Sequence, residues 1–260
     1  TPSQGITGSP FLEDPLQHIR TFVTSPYFQR LIKNTLTINV MNLLFGFPLP
    51  IIIALMINEV KNKRFKSTVQ NITYAPYFLS VIVVVGILRS FLNRDYGMFS
   101  MVVNWFGGER QNWLQIPEVF LPSYIISGLW QTTGWDAIIY ISALAGVSHE
   151  LHEAAMIDGA SRMQRSWHIN IPSIMPTIVI LLILRFGGMM SVGFEKVFLM
   201  QNDLNMSVSD VISTYTYRIG IQGAQFSYAT AIDLFNSLIN FVLIVIVNQI
   251  SRRVSETSLW

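Results

Sequence analysis

"LTINVMNLLFGFPLPIIIALMI", Leu36 to Ile57, runs for 22 residues without a charge, and the nine that follow, "NEVKNKRFK", carry Lys61, Lys63, Arg64 and Lys66. A helix needs about 20 mostly apolar residues to cross the hydrocarbon core of a bilayer, and it satisfies its own backbone polar groups while doing so. Lysine and arginine in short loops resist translocation. The stretch therefore reads as a membrane span followed by a loop kept on the cytoplasmic side.

Four more stretches of this kind follow: Ile72 to Leu92, Tyr124 to Val147, Ile174 to Phe194 and Ala229 to Ile250. The whole chain is 51% hydrophobic and only 12% charged, with mean hydropathy +0.43, whereas a soluble domain carries about 25% charged residues. The expected fold is an all-α, polytopic membrane helical bundle forming one membrane domain. A net charge of +2 is too small a bias to suggest nucleic acid, and the lack of cysteine excludes disulfides and thiol chemistry.

Arg162 and Arg165 lie between the third and fourth stretches, and Arg252 and Arg253 follow the fifth. Alternate loops then face the cytoplasm, and the loops around 93–123 and 195–228 lie outside. This parity puts residues 1–35 outside as an external N-terminal segment, with "TSPYFQR" as a short surface helix. The sequence opens at Thr1 with no basic leader or apolar signal, so a preceding span is expected, about six in the intact protein. The membrane domain spans 36–254, and 255–260 forms a cytoplasmic tail.

Between the third and fourth spans sits "EAAMIDGASRMQRSWHINIP", Glu153 to Pro172. Glu153, Asp158 and the small Ala154 and Ala155 suggest a short helix, which Gly159 allows to end in a bend. A second helical stretch from Ala160 to Ile169 carries Arg162 and Arg165, and Pro172 and Pro176 suit the first turn of the next span. Small residues permit close approach by another protein, and charges give orientation. The plain alternative is a solvated cytoplasmic loop. "HELHE" (His149 to Glu153) spaces its histidines three apart rather than four, which argues against a metal site.

The pattern Glu153, Ala154, Ala155, Gly159, Ile169 and Pro172 resembles the EAA signature of ATP-binding-cassette importer permeases, with Ile171 replacing the usual leucine before the proline. "FGFPLPIIIALMINEVKNKRFK", "APYFLSVIVVVGI", "SVGFEKVFLM" and "ETSLW" are similar to the polysaccharide group of oligosaccharide permeases, of the maltose, alginate and aldouronate type. The resemblance implies a type I importer permease in the bacterial cytoplasmic (inner) membrane. It implies that the 148–172 loop is a coupling element: Glu153 to Gly159, with Ala154, Ala155 and Asp158, would meet a cytoplasmic ATPase, the arm from Arg162 to Trp167 would support it, and Ile169 and Pro172 complete the coupling set. The implied partners are a second homologous permease, two ATPases, an extracytoplasmic solute-binding protein, membrane lipid and an oligosaccharide substrate. The chain has no G-x-x-x-x-G-K-[ST] loop, so ATP and Mg belong to the ATPase subunits and no cofactor is expected on this chain.

Polar groups inside spans are costly and face a cavity or a partner. Asn39, Asn42, Thr132 and Asp233 belong to this set, and Glu195 and Lys196 lie near the outer end of the fourth span, but "GLWQTTGWDA" (Gly128 to Ala137) best suits sugars, which ask for aromatic faces beside amides and acids. The substrate-path candidates are Trp130, Gln131, Thr133, Trp135, Asp136, Arg185, Glu195, Asn236 and Asn240. Helix packing explains the tryptophans and small residues equally well. Arg185 either attracts a uronate carboxylate or pairs with Asp136, Asp233 or a partner's acid. Permeases for another solute and an ion-coupled carrier using Asp136 and Asp233 are the competing readings; an enzyme is the weakest.

Overall fold

A computed structural model describes residues 14, 16–255 and 258. The expected features in residues 1–13, and all of the tail beyond Ser255 except Ser258, lie outside these residues. Among the described residues the secondary structure is entirely helical.

The N-terminal part forms α1 (Gln17–Val23), then α2 (Phe28–Gly46) and α3 (Pro48–Asn58), which join into one apolar stretch, Phe28–Asn58. The helix begins at Phe28, so the expected boundary at residue 35 falls inside it. Pro48 sits in the first turn of α3, where its missing N–H costs little.

The second expected span is broken. Asn62 caps α4 (Lys63–Tyr74) by accepting from the N–H groups of Arg64 and Phe65 at 3.0 and 3.2 Å. A 3₁₀ turn follows at Ala75–Phe78. Leu79 is extended, and the Ser80 hydroxyl then caps α5 (Val81–Phe91). The two arms meet at 97°. An extended residue between helices cannot continue the i→i+4 bonding, so a straight helix over Ile72 to Leu92 does not form.

After α6 (Met98–Trp105), α7 (Pro117–Ala145) runs for 29 residues, about 43 Å at 1.5 Å per residue. It packs against α2, α3, α4 and α5 and forms the centre of the bundle. Next come α8 (His149–Ile157), α9 (Arg162–Arg165), a π-helical turn at Ser166–Asn170 and α10 (Ile171–Phe186). Arg162–Phe186 is effectively one helix, so the fourth span starts before its expected position and ends before Phe194. Pro172 lies just after the widened turn, where its ring would otherwise meet the carbonyl four residues back; Pro176 lies inside the helix rather than in its first turn.

Short helices α11 (Phe194–Met200), α12 (Met206–Ser209) and α13 (Ile212–Tyr217) lead through a π turn at Arg218–Gln222 to α14 (Phe226–Ser255). Among the described residues three helices are long and apolar enough to cross a membrane, or four if the bent pair counts as one span. α7 is not among them, because "WQTTGWD" interrupts its apolar residues. Only 6% of the apolar window in Phe226–Arg253 is buried within the molecule. Phe78, Leu234 and Phe241 project outward, the surface a lipid solvent requires.

The two ends of the bundle are built differently. At one end, the exposed Arg162 guanidinium approaches Glu59 at 4.0 Å, placing the α3–α4 turn beside the α7–α10 loop. At the other end, the fully buried Asp210 carboxylate takes Arg30 at 3.1 Å and Arg218 at 2.7 Å, while Asn34 donates to the Asp210 carbonyl at 2.9 Å. The Asn205 amide, also fully buried, donates to the Leu114 and Met200 carbonyls. These contacts tie the start of α2 to α12, α13 and the 111–116 segment.

Candidate functional site

Two features stand out among the described residues. The first is α8 and its exit. The Ser148 hydroxyl caps α8 by accepting from the Glu150 N–H at 3.2 Å. At the other end Gly159 adopts φ +79°, with its N–H on the Met156 carbonyl (3.1 Å) and the Ala160 N–H on the Ala155 carbonyl (2.8 Å). This reciprocal pair is a Schellman closure, which puts its left-handed residue where glycine has no Cβ penalty. Directly afterwards, the Ser161 hydroxyl accepts from Gln164 N–H (3.3 Å), and Gln164 Oε1 accepts from Ser161 N–H (2.8 Å). That capping box starts α9.

The result is a free-standing two-turn helix with no buried residue. Glu153, Ala154 and Asp158 are exposed and Ala155 is half-buried. Met156, Ile157, Met163 and Trp167 also project outward, with Ile157 at 87% exposure. An exposed apolar rim thus lies beside the exposed acids Glu153 and Asp158. Arg165 donates to the Ala160 carbonyl at 3.2 Å and braces the bend. Ile169 is half-buried behind it.

The second feature is a cavity of about 240 Å³ against α7, lined by Asn39, Asn42, Gln131, Asp136, Arg185 and Lys196 among others. It brings together three of the expected path residues. Gln131 donates to the Leu79 carbonyl at 3.0 Å, and Arg185 pairs with Asp136 at 2.9 Å, one of the partners foreseen for it. That pairing occupies one of the two carboxylates an ion relay would require.

The other expected path residues lie elsewhere. Trp130 lines an apolar groove with Ile87, Phe91 and Ile126. Trp135 stacks on Tyr77, with ring centres 4.4 Å apart and planes 2° apart. Thr133 is buried outside the cavity. Glu195 is exposed. Asn240 accepts from the Met190 N–H at 2.9 Å and donates to Ser191 at 3.0 Å, so it holds the turn after α10. Asn236 does not line the cavity, and its Oδ1 is buried with no hydrogen-bond partner among the described residues.

Lys196 is the residue that sequence reasoning undervalued. It is 9% exposed, donates to the Tyr124 carbonyl at 3.0 Å and lies 4.7 Å from the centre of the Tyr124 ring. It sits on α11, outside the candidate spans, and burial pulls its ammonium down to about 8. Gly128 leaves the space in front of it: a Cβ there would come within 3.2 Å of Nζ.

The bundle turns apolar side chains outward, holds a cavity with several polar residues against α7 and carries a detached helix at one end, an arrangement that fits a membrane transport subunit. The chain belongs to the family of binding-protein-dependent transport system inner membrane components, whose match covers residues 46–256. It is a multi-pass inner-membrane permease subunit of an ATP-binding-cassette importer.

It is 39% identical over 259 residues to the polygalacturonan/rhamnogalacturonan transport system permease protein YteP of Bacillus subtilis, covering 100% of this chain and 80% of the relative. Protein LplB of the same organism is 40% identical over 243 residues, covering 94% and 76% respectively. A solved bacterial ABC transporter involved in import of the acidic polysaccharide alginate contains a chain matching at TM-score 0.91 and 41% identity, covering 97% of this chain and 87% of that one. A second solved structure is the bacterial alginate transporter in complex with an alginate pentasaccharide-bound periplasmic protein; its chain matches at TM-score 0.90 and 42% identity, covering 93% and 84%.

Proposed function

We propose that this chain forms half of the translocation path of an oligosaccharide importer and does no bond chemistry itself. A second permease subunit supplies the other half, a solute-binding protein delivers the sugar from outside, and two ATPases holding ATP and Mg act from the cytoplasm. The names of the relatives support the sugar: polygalacturonan and rhamnogalacturonan for one, alginate for another.

The observation that carries the coupling role is the detached α8, none of whose residues is buried. Glu153, Ala154, Ala155, Asp158 and Gly159 form the contact with an ATPase cleft, and Arg162, Ile169 and Pro172 set the angle at which the contact meets α10. When the ATPases close, α8 moves with its cleft, and the helices attached to it rock, so that the cavity opens to alternate sides. The sugar passes Asn39, Asn42, Gln131, Thr132 and the Asp136–Arg185 pair, whose donors and acceptors suit hydroxyl groups.

Reconstitution with the partner permease, ATPases and binding protein tests this reading. Glu153→Ala combined with Gly159→Val should leave ATP hydrolysis no longer linked to uptake, or weaken ATPase attachment. Normal coupled uptake by that double variant would refute the coupling role.

A further inference from the structure

We infer that the Lys196 ammonium is the counter-charge for a carboxylate of the transported sugar, which makes acidic oligosaccharides the substrate class of the cavity. This rests on the reading that the cavity belongs to the sugar path.

Two cations line the cavity, and they are not equivalent. Arg185 is committed to Asp136 at 2.9 Å, and the two charges cancel. None of the five ion pairs among the described residues includes Lys196. Of the charges on the cavity wall, Asp136, Arg185 and Lys196, one positive charge is therefore left over, and it is the most buried of the three. An ammonium has three N–H donors. One reaches the Tyr124 carbonyl; the others have room because residue 128 is glycine.

Burying an ammonium without an acid is costly, and lysines are rarely buried unless paired. The carbonyl and ring of Tyr124 orient the amine but do not neutralise it. A carboxylate arriving with the substrate would complete the charge balance, in a partly dehydrated setting where a charged hydrogen bond is strong. A neutral sugar would leave the excess charge in place. The position thus selects by charge as well as by shape.

The test compares uptake of trigalacturonate with that of its methyl ester by the assembled transporter in proteoliposomes. Esterification removes the charge and keeps the hydroxyls. The same binding protein serves every permease variant, so its own preference cancels when variants are compared. Lys196→Gln should lower the acid-to-ester uptake ratio by about tenfold to a hundredfold, the range for one charged hydrogen bond, and Lys196→Arg should keep most of it. If Lys196→Gln does not assemble, Gly128→Ala, which crowds Nζ at 3.2 Å, should lower the same ratio.

An unchanged ratio in the folded variants overturns the inference. So does a Lys196→Gln variant that weakens the permease pair and slows acid and ester alike, the result expected if a partner's acid neutralises the lysine. Uptake of a neutral oligosaccharide with rejection of both probes overturns it as well. Thr132→Trp separates the two levels of the argument. If it blocks both probes while the Lys196→Gln ratio is unchanged, the path stands and the charge role falls; if uptake survives it, the path reading falls and the inference with it.

Discussion

The side-chain amide of Gln131, on the central helix α7, donates to the backbone carbonyl of Leu79 at 3.0 Å, at the residue where the second span bends by 97°. A break in a helix frees backbone groups, and within a membrane nothing but protein or a water-filled cavity can satisfy them. Gln131 supplies that partner, so it fixes the bend while also facing the cavity. Gln131→Leu should destabilise the assembled transporter by about 1–3 kcal/mol, the cost of an unpaired buried acceptor. A lowered thermal unfolding midpoint would register this, whereas an unchanged midpoint would show that the bend is held elsewhere.

One turn further along the same helix, α7 touches α4 through Gly134. A Cβ at this position would lie 2.1 Å from the Thr73 carbonyl oxygen, so Gly134→Ala forces the two backbones apart. We expect a loss of about 1–3 kcal/mol or more. Gly86→Ala is the control, since nothing lies within 4 Å of its added carbon. Purified yield and unfolding midpoint of the two variants should differ clearly, with Gly86→Ala near the parent.

Gly159 is constrained by its backbone and not by its surroundings: φ is +79° and no atom lies within 4 Å of a built Cβ. Replacing it by alanine should cost about 1–2 kcal/mol in the left-handed conformation, and asparagine less, because it tolerates that region. Uptake per ATP hydrolysed should fall in the order Gly, Asn, Ala, Val. A flat series would mean that the closure of α8 does not govern coupling.

Recognition of an acidic sugar should also depend on pH. Burial holds Lys196 near 8 rather than 10.5, so the amine is charged at neutral pH and loses its proton as the pH rises through about 8. The neighbouring titratable and charged groups are Tyr124, Asp136 and Arg185 on the cavity wall, with Arg89 on α5 and Tyr217 on α13 against α11. The acid-to-ester uptake ratio of the parent should decline above about pH 8. Lys196→Arg, whose guanidinium stays protonated, should flatten the decline; identical profiles would rule out titration of Lys196 as its cause.

Much of this architecture was legible in the sequence. The uncharged run from Leu36 to Ile57 lies within the first long helix, and Ala229 to Ile250 lies within α14. The Glu-Ala-Ala module carried its own punctuation in Gly159, while the caps at Ser148 and Ser161 emerge from the structure. The bend at Leu79 was harder to place, because Val81 to Leu92 is apolar enough to continue a span; Pro76, the Ser80 cap and Gln131, 52 residues away, together mark where the chain turns. α7 shows the reverse: its polar residues depress its hydropathy, yet it is the centre of the bundle.

In the cavity, Gln131, Asp136 and Arg185 emerged because polar groups in apolar runs are rare. Choosing between Glu195 and Lys196 was beyond sequence reasoning. Adjacent residues on a short helix point in different directions, and only the packing of α11 against α7 settles which one turns inward. Trp130 and Trp135 share α7 with the cavity residues but face an apolar groove and the Tyr77 ring instead. A sugar-like composition along the helix had hidden their divergence.

The Asp210 carboxylate grips Arg30 and Arg218 and is sealed from solvent, while the ion pair at the opposite end, Arg162 with Glu59 at 4.0 Å, is exposed. The charged clamp is thus tight at one rim and loose at the other. If α8 couples as proposed, a force applied at the loose rim should turn the long helices about the tight one, as a lever turns about its fulcrum. Displacement should then grow with distance from Asp210, so spin labels placed near α8 should shift further on ATP binding than labels placed beside Asp210.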